Sequence, residues 1–281
     1  MAISAAAVRE LERNANRIRR DVVEMIGVGM AGHLGGSCSL ADIISALYFH
    51  TMHHDPKNPK LPERDRLILS KGHAAIVQYE ALAECGYFDK ALLKTLKNFG
   101  SPLQGHPDLR KLTGLEANTG SLGQGVSIAA GMAAALKLDQ NPARVFVATG
   151  DGELAEGQLW EAFMAAANFK LDNLRVIVDK NGLQATGKTK DRFPIENIGG
   201  RLEAFGFAVQ EIDGHNISEI VEAFEKADTV KGKPSAIIAH TIKGKGIPFA
   251  ENVASFHNGT LTQELYDEAL EVLAKREEAL L

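Results

Sequence analysis

A strand–helix–strand unit in the middle of the chain places the strongest constraint on its fold. Val145 to Ala148 is an apolar, β-branched run that predicts a buried strand, and Leu174 to Val178 predicts a second one. Between them, apolar residues recur at helical spacing from about Ala155 to Phe169. Such units almost always belong to a parallel sheet with a right-handed crossover. The sequence therefore predicts an α/β fold with three layers, in which a mostly parallel sheet carries helices on both faces.

Polar residues follow both strands of this unit. Asp151 comes after the first strand, between Gly150 and Gly152, and Asn181 comes after the second. Ligands of parallel sheets bind beyond the carboxyl ends of the strands, so these side chains should meet on neighbouring loops. A carboxylate, an amide oxygen and nearby main-chain carbonyls suit Mg²⁺, which proteins usually bind together with ligand phosphates. The two glycines would let a phosphate approach the main-chain N–H groups at the helix start, which indicates a Mg²⁺–diphosphate site.

Two other glycine-rich motifs are typical of nucleotide sites, but their surroundings argue against that function. The segment from Gly182 to Thr189 fits the P-loop pattern, yet Pro194 disfavours the long helix that a P-loop needs after its lysine. The segment from Gly27 to Gly32 fits the dinucleotide fingerprint, yet a helical pattern precedes it where a strand is required. We therefore predict neither a nucleoside triphosphatase nor a Rossmann-type site.

Composition is that of an ordinary globular protein. The 281 residues are 45% hydrophobic and 24% charged, and the formal net charge of −5 does not favour a nucleic-acid-binding surface. The sequence shows no apolar run long enough to cross a bilayer and no signal-peptide pattern. Cys38 and Cys85 imply neither a metal site nor a disulfide framework. We expect a cytoplasmic protein that binds neither nucleic acid nor membrane, with residues 1–281 forming one domain.

Glycine-rich loops with histidines occur at four further points. His33 lies in Gly-His-Leu-Gly-Gly-Ser, ahead of a helix predicted from about Leu40 to Phe49 with Ser39 as its N-cap. His73 lies at the start of a predicted helix, where a phosphate could bind. From the residues alone, His33 and His73 could each be a ligand contact or a turn or capping residue without a ligand. The other two are His106, in Gln-Gly-His-Pro, and His257, in Phe-His-Asn-Gly.

Taken together, these motifs give the chain a resemblance to the transketolase family. Asp151 and Asn181 resemble the two ends of the thiamine diphosphate motif, which begins with Gly-Asp-Gly and ends in Asn. Ser121, where long transketolases often have proline, and Gly182, where some members have a second Asn, depart from the family pattern without removing a proposed Mg²⁺ ligand. The resemblance covers nearly all of the chain, and the remaining motifs that carry it are Ser-Lys-Gly-His, Thr-Gly-Ser-Leu-Gly-Gln-Gly, Lys-Asn-Gly-Leu-Gln and Thr-Ile-Lys-Gly-Lys-Gly.

The resemblance implies thiamine diphosphate as cofactor, together with Mg²⁺ or with Ca²⁺ or Mn²⁺ in its place. The cation would be held by Asp151, Asn181 and the main-chain carbonyl of Leu183. Substrate hydroxyls and proton transfers would be served by four histidines: His33, His73, His106 and His257. The rest of the cofactor would contact a set of loop residues: His73, Gly120, Leu122, Gly150, Gly152, Glu156, Lys243 and His257. Glu156 would also lie near the subunit contact that links paired active sites, and Lys243 is a looser match.

The implied reaction is the transfer of a two-carbon ketol group from a ketose phosphate to an aldose phosphate, as in the pentose phosphate pathway. Full-length transketolases continue into a pyrimidine-binding domain and a C-terminal domain, which supply the glutamate that activates the cofactor and the basic residues for sugar phosphate. The resemblance therefore implies an N-terminal subunit that pairs with itself and with a C-terminal subunit in a heterotetramer. Two alternatives stay open: a related two-chain thiamine enzyme with another donor, such as a sulfonated sugar, and a non-catalytic paralogue.

Overall fold

The computed structural model describes residues 3–281, and a five-stranded parallel sheet forms its centre. The strands are β1 (Arg66–Leu69), β2 (Val145–Gly150), β3 (Leu174–Lys180), β4 (Ala208–Asp213) and β5 (Ser235–His240). They lie in the order β1-β2-β3-β5-β4, and every neighbouring pair is parallel. Gly150 pairs with Asp179, so the loops after β2 and β3 leave the same edge of the sheet.

Helices cover both faces of the sheet, as the sequence predicts. The longer helices are α1 (Ala5–Ile26), α2 (Leu34–Ala46), α3 (Ala75–Cys85), α4 (Gln124–Leu138), α5 (Gly157–Asn168), α6 (Ile198–Phe205), α7 (Ile217–Thr229) and α8 (Gln263–Ala279). Successive strand residues alternate between two apolar clusters: Phe146 packs with α1, α2, α3, α7 and α8, whereas Val147 packs with α4, α5 and α6 on the opposite face.

Short segments connect these elements, and many of them lie at the carboxyl edge of the sheet. Two antiparallel pairs of two-residue strands join Ala31–Gly32 to Gly259–Thr260 and Leu183–Gln184 to Gly187–Lys188. The remaining segments are 3₁₀ turns at Gly72–Ala74, Lys90–Thr95, Gly152–Ala155 and Ala254–His257, a π-helical turn at Leu47–Thr51 and a four-residue helix at Thr189–Arg192. That last helix ends before Pro194, so the P-loop-like segment opens no long helix, in agreement with the prediction.

The expected start of the second helix is wrong. The helix α2 begins at Leu34 rather than at Leu40, and it includes Gly35. A Cβ at Gly35 would lie 2.9 Å from the Lys243 side chain, so the glycine allows a close approach and does not mark a loop. Ser39 is therefore inside the helix, and its hydroxyl donates to Asp179 at 2.6 Å instead of capping the helix. Within residues 3–281, none of the helices is both long and apolar enough to cross a membrane.

Candidate active site

A cavity of about 340 Å³ lies at the carboxyl edge of the sheet, beyond β2 and β3. His33, His106 and Gly120 do not line it, although His33 contacts two of its lining histidines. Asp151 and Asn181 also line a neighbouring cavity of about 420 Å³. The first cavity brings together most of the residues singled out from the sequence: His73, Leu122, Gly150, Asp151, Gly152, Glu156, Asn181, Leu183, Lys243 and His257.

Asp151 joins the two loops that leave β2 and β3. Its Oδ1 accepts from the main-chain N–H of Gly152 at 2.9 Å, and its Oδ2 accepts from that of Gly182 at 2.8 Å. Burial raises the pKa of Asp151 to about 6, and the nearby Asp179 carboxylate adds to the effect. A buried carboxylate beside a second carboxylate is the electrostatic setting that a bound cation would stabilise.

The atoms around Asp151 fit a hard cation. Asn181 donates from Nδ2 to Asp179 at 3.1 Å, and its Oδ1 faces the N–H of Leu183 at 3.1 Å. The carbonyl oxygen of Leu183 accepts from Lys243 Nζ at 3.2 Å. One carboxylate, one amide oxygen and one main-chain carbonyl are ligands typical of Mg²⁺, Ca²⁺ or Mn²⁺. Residues 3–281 form no cluster of three or more His, Cys, Asp or Glu side chains suited to a metal, so this donor set depends on amide and carbonyl oxygens.

A buried ion pair beneath the cavity holds four elements together. Lys71 pairs with Asp179, and both side chains are almost completely buried. Lys71 also donates to the carbonyl oxygen of Gly36 at 3.0 Å, while Ser39 and Thr241 donate to the Asp179 carboxylate. Burial by itself would raise the pKa of Asp179, but the Lys71 ammonium and these hydrogen bonds outweigh burial and hold the pKa below its usual value. The pair fixes the ends of β1, β3 and β5 against α2.

Glu153 organises the loops on the other side of the cavity. Its carboxylate accepts from Ser70 Oγ at 2.5 Å, from Gly123 N at 2.8 Å, from Thr149 Oγ1 at 2.9 Å and from Gly150 N at 3.1 Å. These bonds join the loops after β1 and β2 to the start of α4. Sequence reasoning missed Glu153, together with Lys71 and Asp179. Their position in the sequence could have identified them, because each is a polar residue at or just beyond the end of a buried strand.

Four histidines form a row that leads away from the cavity. The ring centroids of His73 and His257 are 4.7 Å apart, and His33 lies 5.1 Å from His73 and 5.5 Å from His257. His106 continues the row at 6.2 Å from His33. The short antiparallel pairing of Ala31–Gly32 with Gly259–Thr260 brings the loops of His33 and His257 together, although they are distant in sequence.

The row is uncharged at neutral pH. Burial and, to a smaller extent, nearby lysines lower the pKa of His33 to about 4, of His257 to about 3 and of His73 to about 2. The pKa of His106 is lowered by burial and then by Lys97. A neutral imidazole carries one nitrogen that can accept a proton or a hydrogen bond, so the row can serve hydroxyl groups of a ligand.

One of these rings has an identifiable acceptor nitrogen, and another has a buried nitrogen without a partner. Lys243 Nζ lies 3.0 Å from His257 Nδ1, which therefore acts as the acceptor and leaves Nε2 to carry the proton. His33 Nδ1 is buried and has no hydrogen-bond partner among residues 3–281. A buried polar atom without a hydrogen-bond partner destabilises the folded state. His33 Nδ1 is therefore a position where a bound ligand could supply the missing hydrogen bond.

A parallel sheet with a Gly-Asp-Gly turn, oxygen ligands and a histidine row at its carboxyl edge places this protein among α/β cofactor-binding domains. The family described as "Transketolase, thiamine diphosphate binding domain" matches residues 11–275. The chain therefore belongs to the transketolase family, and its matched region is the thiamine diphosphate-binding domain of that family, in agreement with the sequence-based resemblance.

Some relatives match this chain over their whole length and others over less than half. The 6-deoxy-6-sulfo-D-fructose transketolase subunit SqwG of Clostridium sp. (strain MSTE9) is 47% identical, with 95% of this chain and 97% of the relative covered. One of the subunits of the apulose-4-phosphate transketolase of Phocaeicola vulgatus is 40% identical over 97% of each chain. Human transketolase is 38% identical over 94% of this chain but only 42% of its own length.

Solved transketolase structures share the fold. The enzyme from Campylobacter jejuni superposes with a TM-score of 0.85 at 34% identity, and 96% of this chain matches 47% of that one. The Leishmania mexicana transketolase gives a TM-score of 0.86 at 28% identity, over 96% of this chain and 45% of that one. The three-layer fold with a parallel sheet is thus the fold of the thiamine diphosphate-binding domain of transketolases.

Proposed function

We propose that this protein is the cofactor-binding subunit of a two-chain transketolase-type enzyme that transfers a two-carbon ketol group between sugars. One observation carries the proposal: the chain aligns with 97% of two relatives named as transketolase subunits. We also propose that residues 1–281 form a single domain and that the protein works in the cytoplasm, where its two free cysteines would be stable as thiols.

In this proposal the cavity residues hold thiamine diphosphate and a divalent cation. Asp151, Asn181 and the Leu183 carbonyl would bind the cation, whose charge would offset the burial and the Asp179 repulsion that raise the pKa of Asp151. Main-chain N–H groups near Gly152 would face the diphosphate. When bound, the cofactor supplies the electron sink for the two-carbon carbanion. The other proposed cofactor contacts are His73, Gly120, Leu122, Gly150, Glu156, Lys243 and His257.

The histidine row would handle the hydroxyl protons of the sugars. When the bond between the second and third carbons of a ketose breaks, the hydroxyl on its third carbon must lose a proton. A neutral ring nitrogen, such as the unpartnered Nδ1 of His33, can take that proton and later return one to the oxygen of the acceptor aldehyde. His106 and His257 would orient neighbouring hydroxyls, and His73 would serve both cofactor and substrate.

Exposed apolar side chains support a partner chain over the active site. Phe99, Leu109, Phe193 and Val253 are all exposed, and they lie on loops that also carry or adjoin site residues. Patches of this kind mark protein interfaces. We propose that a C-terminal transketolase subunit, with its pyrimidine-binding and C-terminal domains, covers these loops and completes the site.

A second apolar surface supports self-association. Leu138, Met164 and Phe169 are exposed on or directly after α4 and α5, the two helices that contact each other on one face of the sheet. Glu156 lies exposed at the start of α5, and a Cβ at Gly123 would lie 2.8 Å from its side chain. We propose that two copies of this chain pair through α4 and α5 and that two partner chains complete a heterotetramer.

The names of the relatives point to donor sugars that carry an anionic group. The two relatives that match over their whole length are named for different sugars, one carrying a sulfonate and the other a phosphate. We propose a ketose with an anionic group at its far end, either a sugar phosphate or, as the 47% identity to the sulfofructose transketolase subunit favours, a sugar sulfonate.

The test is reconstitution of the enzyme from two chains. This chain would be purified alone and together with the product of the adjacent open reading frame, and both preparations would be assayed with thiamine diphosphate and Mg²⁺ against phosphorylated and sulfonated ketoses. We expect ketol transfer only in the mixture, with a loss of at least about 100-fold in Asp151→Ala because the cation loses its carboxylate ligand. Asp139→Ala, at the exposed end of α4, is the matched control. Full activity of this chain alone, or of Asp151→Ala in the mixture, would contradict the proposal.

A further inference from the structure

His215 lies in the loop between β4 and α7, and both of its ring nitrogens have a hydrogen-bond partner. Nδ1 lies 2.7 Å from Oδ2 of Asp42, and Nε2 accepts from the main-chain N–H of Ile242 at 2.8 Å. The side chain is only 11% exposed, so water cannot readily replace either partner. Neither His215 nor Ile242 lines the cavity, so any effect of His215 on a ligand must pass through other residues.

The two partners fix the tautomer of His215. A main-chain N–H can only donate, so the Nε2 that faces Ile242 carries no proton. The proton of the ring therefore lies on Nδ1, which donates it to Asp42. Asp42 is itself held in place, because it pairs with the completely buried Arg19 and accepts from Arg19 Nη1 at 3.2 Å. A paired carboxylate on one side and a main-chain N–H on the other give the ring a single orientation.

Main-chain hydrogen bonds hold the loop that follows β5. Thr241 donates to the carbonyl oxygen of the last residue of β3 at 3.2 Å, and Gly244 donates to that of Gly35 at 3.0 Å. Ile242 lies between them and donates to the ring of His215 rather than to a carbonyl oxygen. Of these three bonds, only that of Ile242 can be removed by changing a side chain.

The residue after Ile242 connects this loop to the active site. Lys243 is buried, and its ammonium donates to the carbonyl oxygen of Leu183 at 3.2 Å and lies 3.0 Å from Nδ1 of His257. An ammonium can only donate, so Nδ1 of His257 is the acceptor and its Nε2 carries the proton. The tautomer of His257 therefore depends on where the main chain of the loop places Lys243.

We propose that His215 is a positioning residue, which acts on the active site through the loop after β5. By holding the main chain at Ile242, it keeps the ammonium of Lys243 within reach of His257. That contact fixes the proton of the His257 ring on Nε2, which is then a donor of constant direction for a bound ligand. The inference rests on the proposed function and extends it, because His257 is one of the histidines proposed to serve the hydroxyl groups of the sugars.

NMR of the imidazole nitrogens tests the inference on this chain alone, without a partner chain. In the unmodified chain, labelled with ¹⁵N-histidine, we expect a protonated Nδ1 and an unprotonated Nε2 in His215, and the reverse in His257. Through-bond correlations to the main chain would assign the two rings. Any other protonation pattern in either ring would overturn the inference.

Two substitutions at His215 separate its hydrogen bond to Ile242 from its packing. An asparagine amide ends near the position of Nδ1 and keeps a donor there but is too short to reach the Ile242 N–H, whereas the amide oxygen of glutamine can accept from it. His215→Asn should therefore release Lys243, and the two nitrogens of His257 should shift towards the average of two exchanging tautomers. His215→Gln should keep the spectrum of the unmodified chain, and so should the control His50→Asn, because His50 is exposed.

The same variants, assembled into the two-chain enzyme, measure the effect on the reaction. We expect His215→Asn to lower kcat for ketol transfer at least about tenfold, as is common when a group that orients a site residue is lost, and His215→Gln to keep most of the activity. An unchanged His257 spectrum in His215→Asn, or equal changes in His215→Asn and His215→Gln, would overturn the inference and leave the proposed function intact. Absence of ketol transfer by the unmodified complex would instead overturn the proposed function and, with it, the role of His215 in the reaction.

Discussion

At the scale of single residues, Glu80 is the carboxyl group least satisfied by its surroundings. It lies fully buried in α3, and neither of its oxygens has a hydrogen-bond partner within residues 3–281. Burial raises the pKa of Glu80 well above its usual value, and the neighbouring Asp21 and Glu84 raise it further against the weaker influence of Lys90 and Arg17. The group is therefore protonated in the folded chain over a pH range in which it is ionised in the unfolded chain.

This arrangement predicts that the contribution of Glu80 to the unfolding free energy falls as pH rises. Because the folded-state pKa of Glu80 is the higher one, its contribution is fully present below the unfolded-state pKa and is lost as pH rises towards the folded-state pKa. Between these limits, the unfolding free energy of the unmodified chain should fall relative to Glu80→Gln by about 1.4 kcal/mol per pH unit. Urea unfolding at pH 5.5, 6.5 and 7.5 would measure the difference, with exposed Glu222→Gln as control. Parallel curves for the unmodified chain and Glu80→Gln would show that Glu80 is ionised when folded.

Sequence motifs identify the residues that line the cavity better than the residues that support them. Asp151 and Asn181 follow apolar strands and belong to one motif, so their meeting could be predicted. Arg19 could not be found in this way. It is completely buried and pairs with Asp42, which also binds His215 Nδ1 at 2.7 Å. These partners lie on different helices and loops, and no local spacing in the sequence relates them.

At the scale of secondary structure elements, α4 contains two glycines in different environments. A Cβ at Gly125 would lie 2.6 Å from Ser70 Cα, so this glycine lets the start of α4 pack against the end of β1. Gly131 lies on the exposed face of the same helix, and a Cβ there would meet nothing within 4 Å. The same substitution at these two positions therefore separates packing from helix propensity.

We expect opposite effects of alanine at the two positions. Gly131→Ala should stabilise the chain by about 0.5–1 kcal/mol because alanine favours the helix and meets no obstacle. Gly125→Ala should destabilise it by about 1–3 kcal/mol because the methyl group must displace main-chain atoms. It should also weaken cofactor binding, since Ser70 holds Glu153. Urea unfolding and calorimetric titration with thiamine diphosphate would measure both effects, and equal stability of the two variants would contradict this account of the α4–β1 contact.

The difference between tertiary packing and local sequence preference also explains which element boundaries could be predicted from the sequence. Apolar runs such as Val145 to Ala148 lie within the observed strands, because a strand buried on both faces must be apolar throughout. The start of α2 could not be predicted, because glycines next to a histidine have the composition of a loop. Their role in a helix that approaches Lys243 closely becomes visible only when the loop after β5 is in place.

At the scale of the whole molecule, two apolar surfaces are formed by different elements of the chain. One is on α4 and α5 and includes Met164, and the other is on loops near the active site and includes Phe99. If the first surface pairs two copies of this chain and the second binds the partner, mutations in them should affect different steps of assembly. If one surface served both contacts, mutations in either group of residues would affect self-association and partner binding together.

Lysine at Met164 should therefore prevent self-association, because a charge would be buried against apolar residues of the second copy. Light scattering should show the unmodified chain at twice its 30.3 kDa and Met164→Lys at 30.3 kDa. Phe99→Ser should keep the dimer mass but require a higher partner concentration for half-maximal ketol transfer, because it removes an apolar contact at the rim of the site. Loss of self-association in Phe99→Ser would mean that the two copies meet through the active-site face, which leaves no room for a partner chain to cover it. An unchanged mass in Met164→Lys would mean that α4 and α5 do not form the self-association surface.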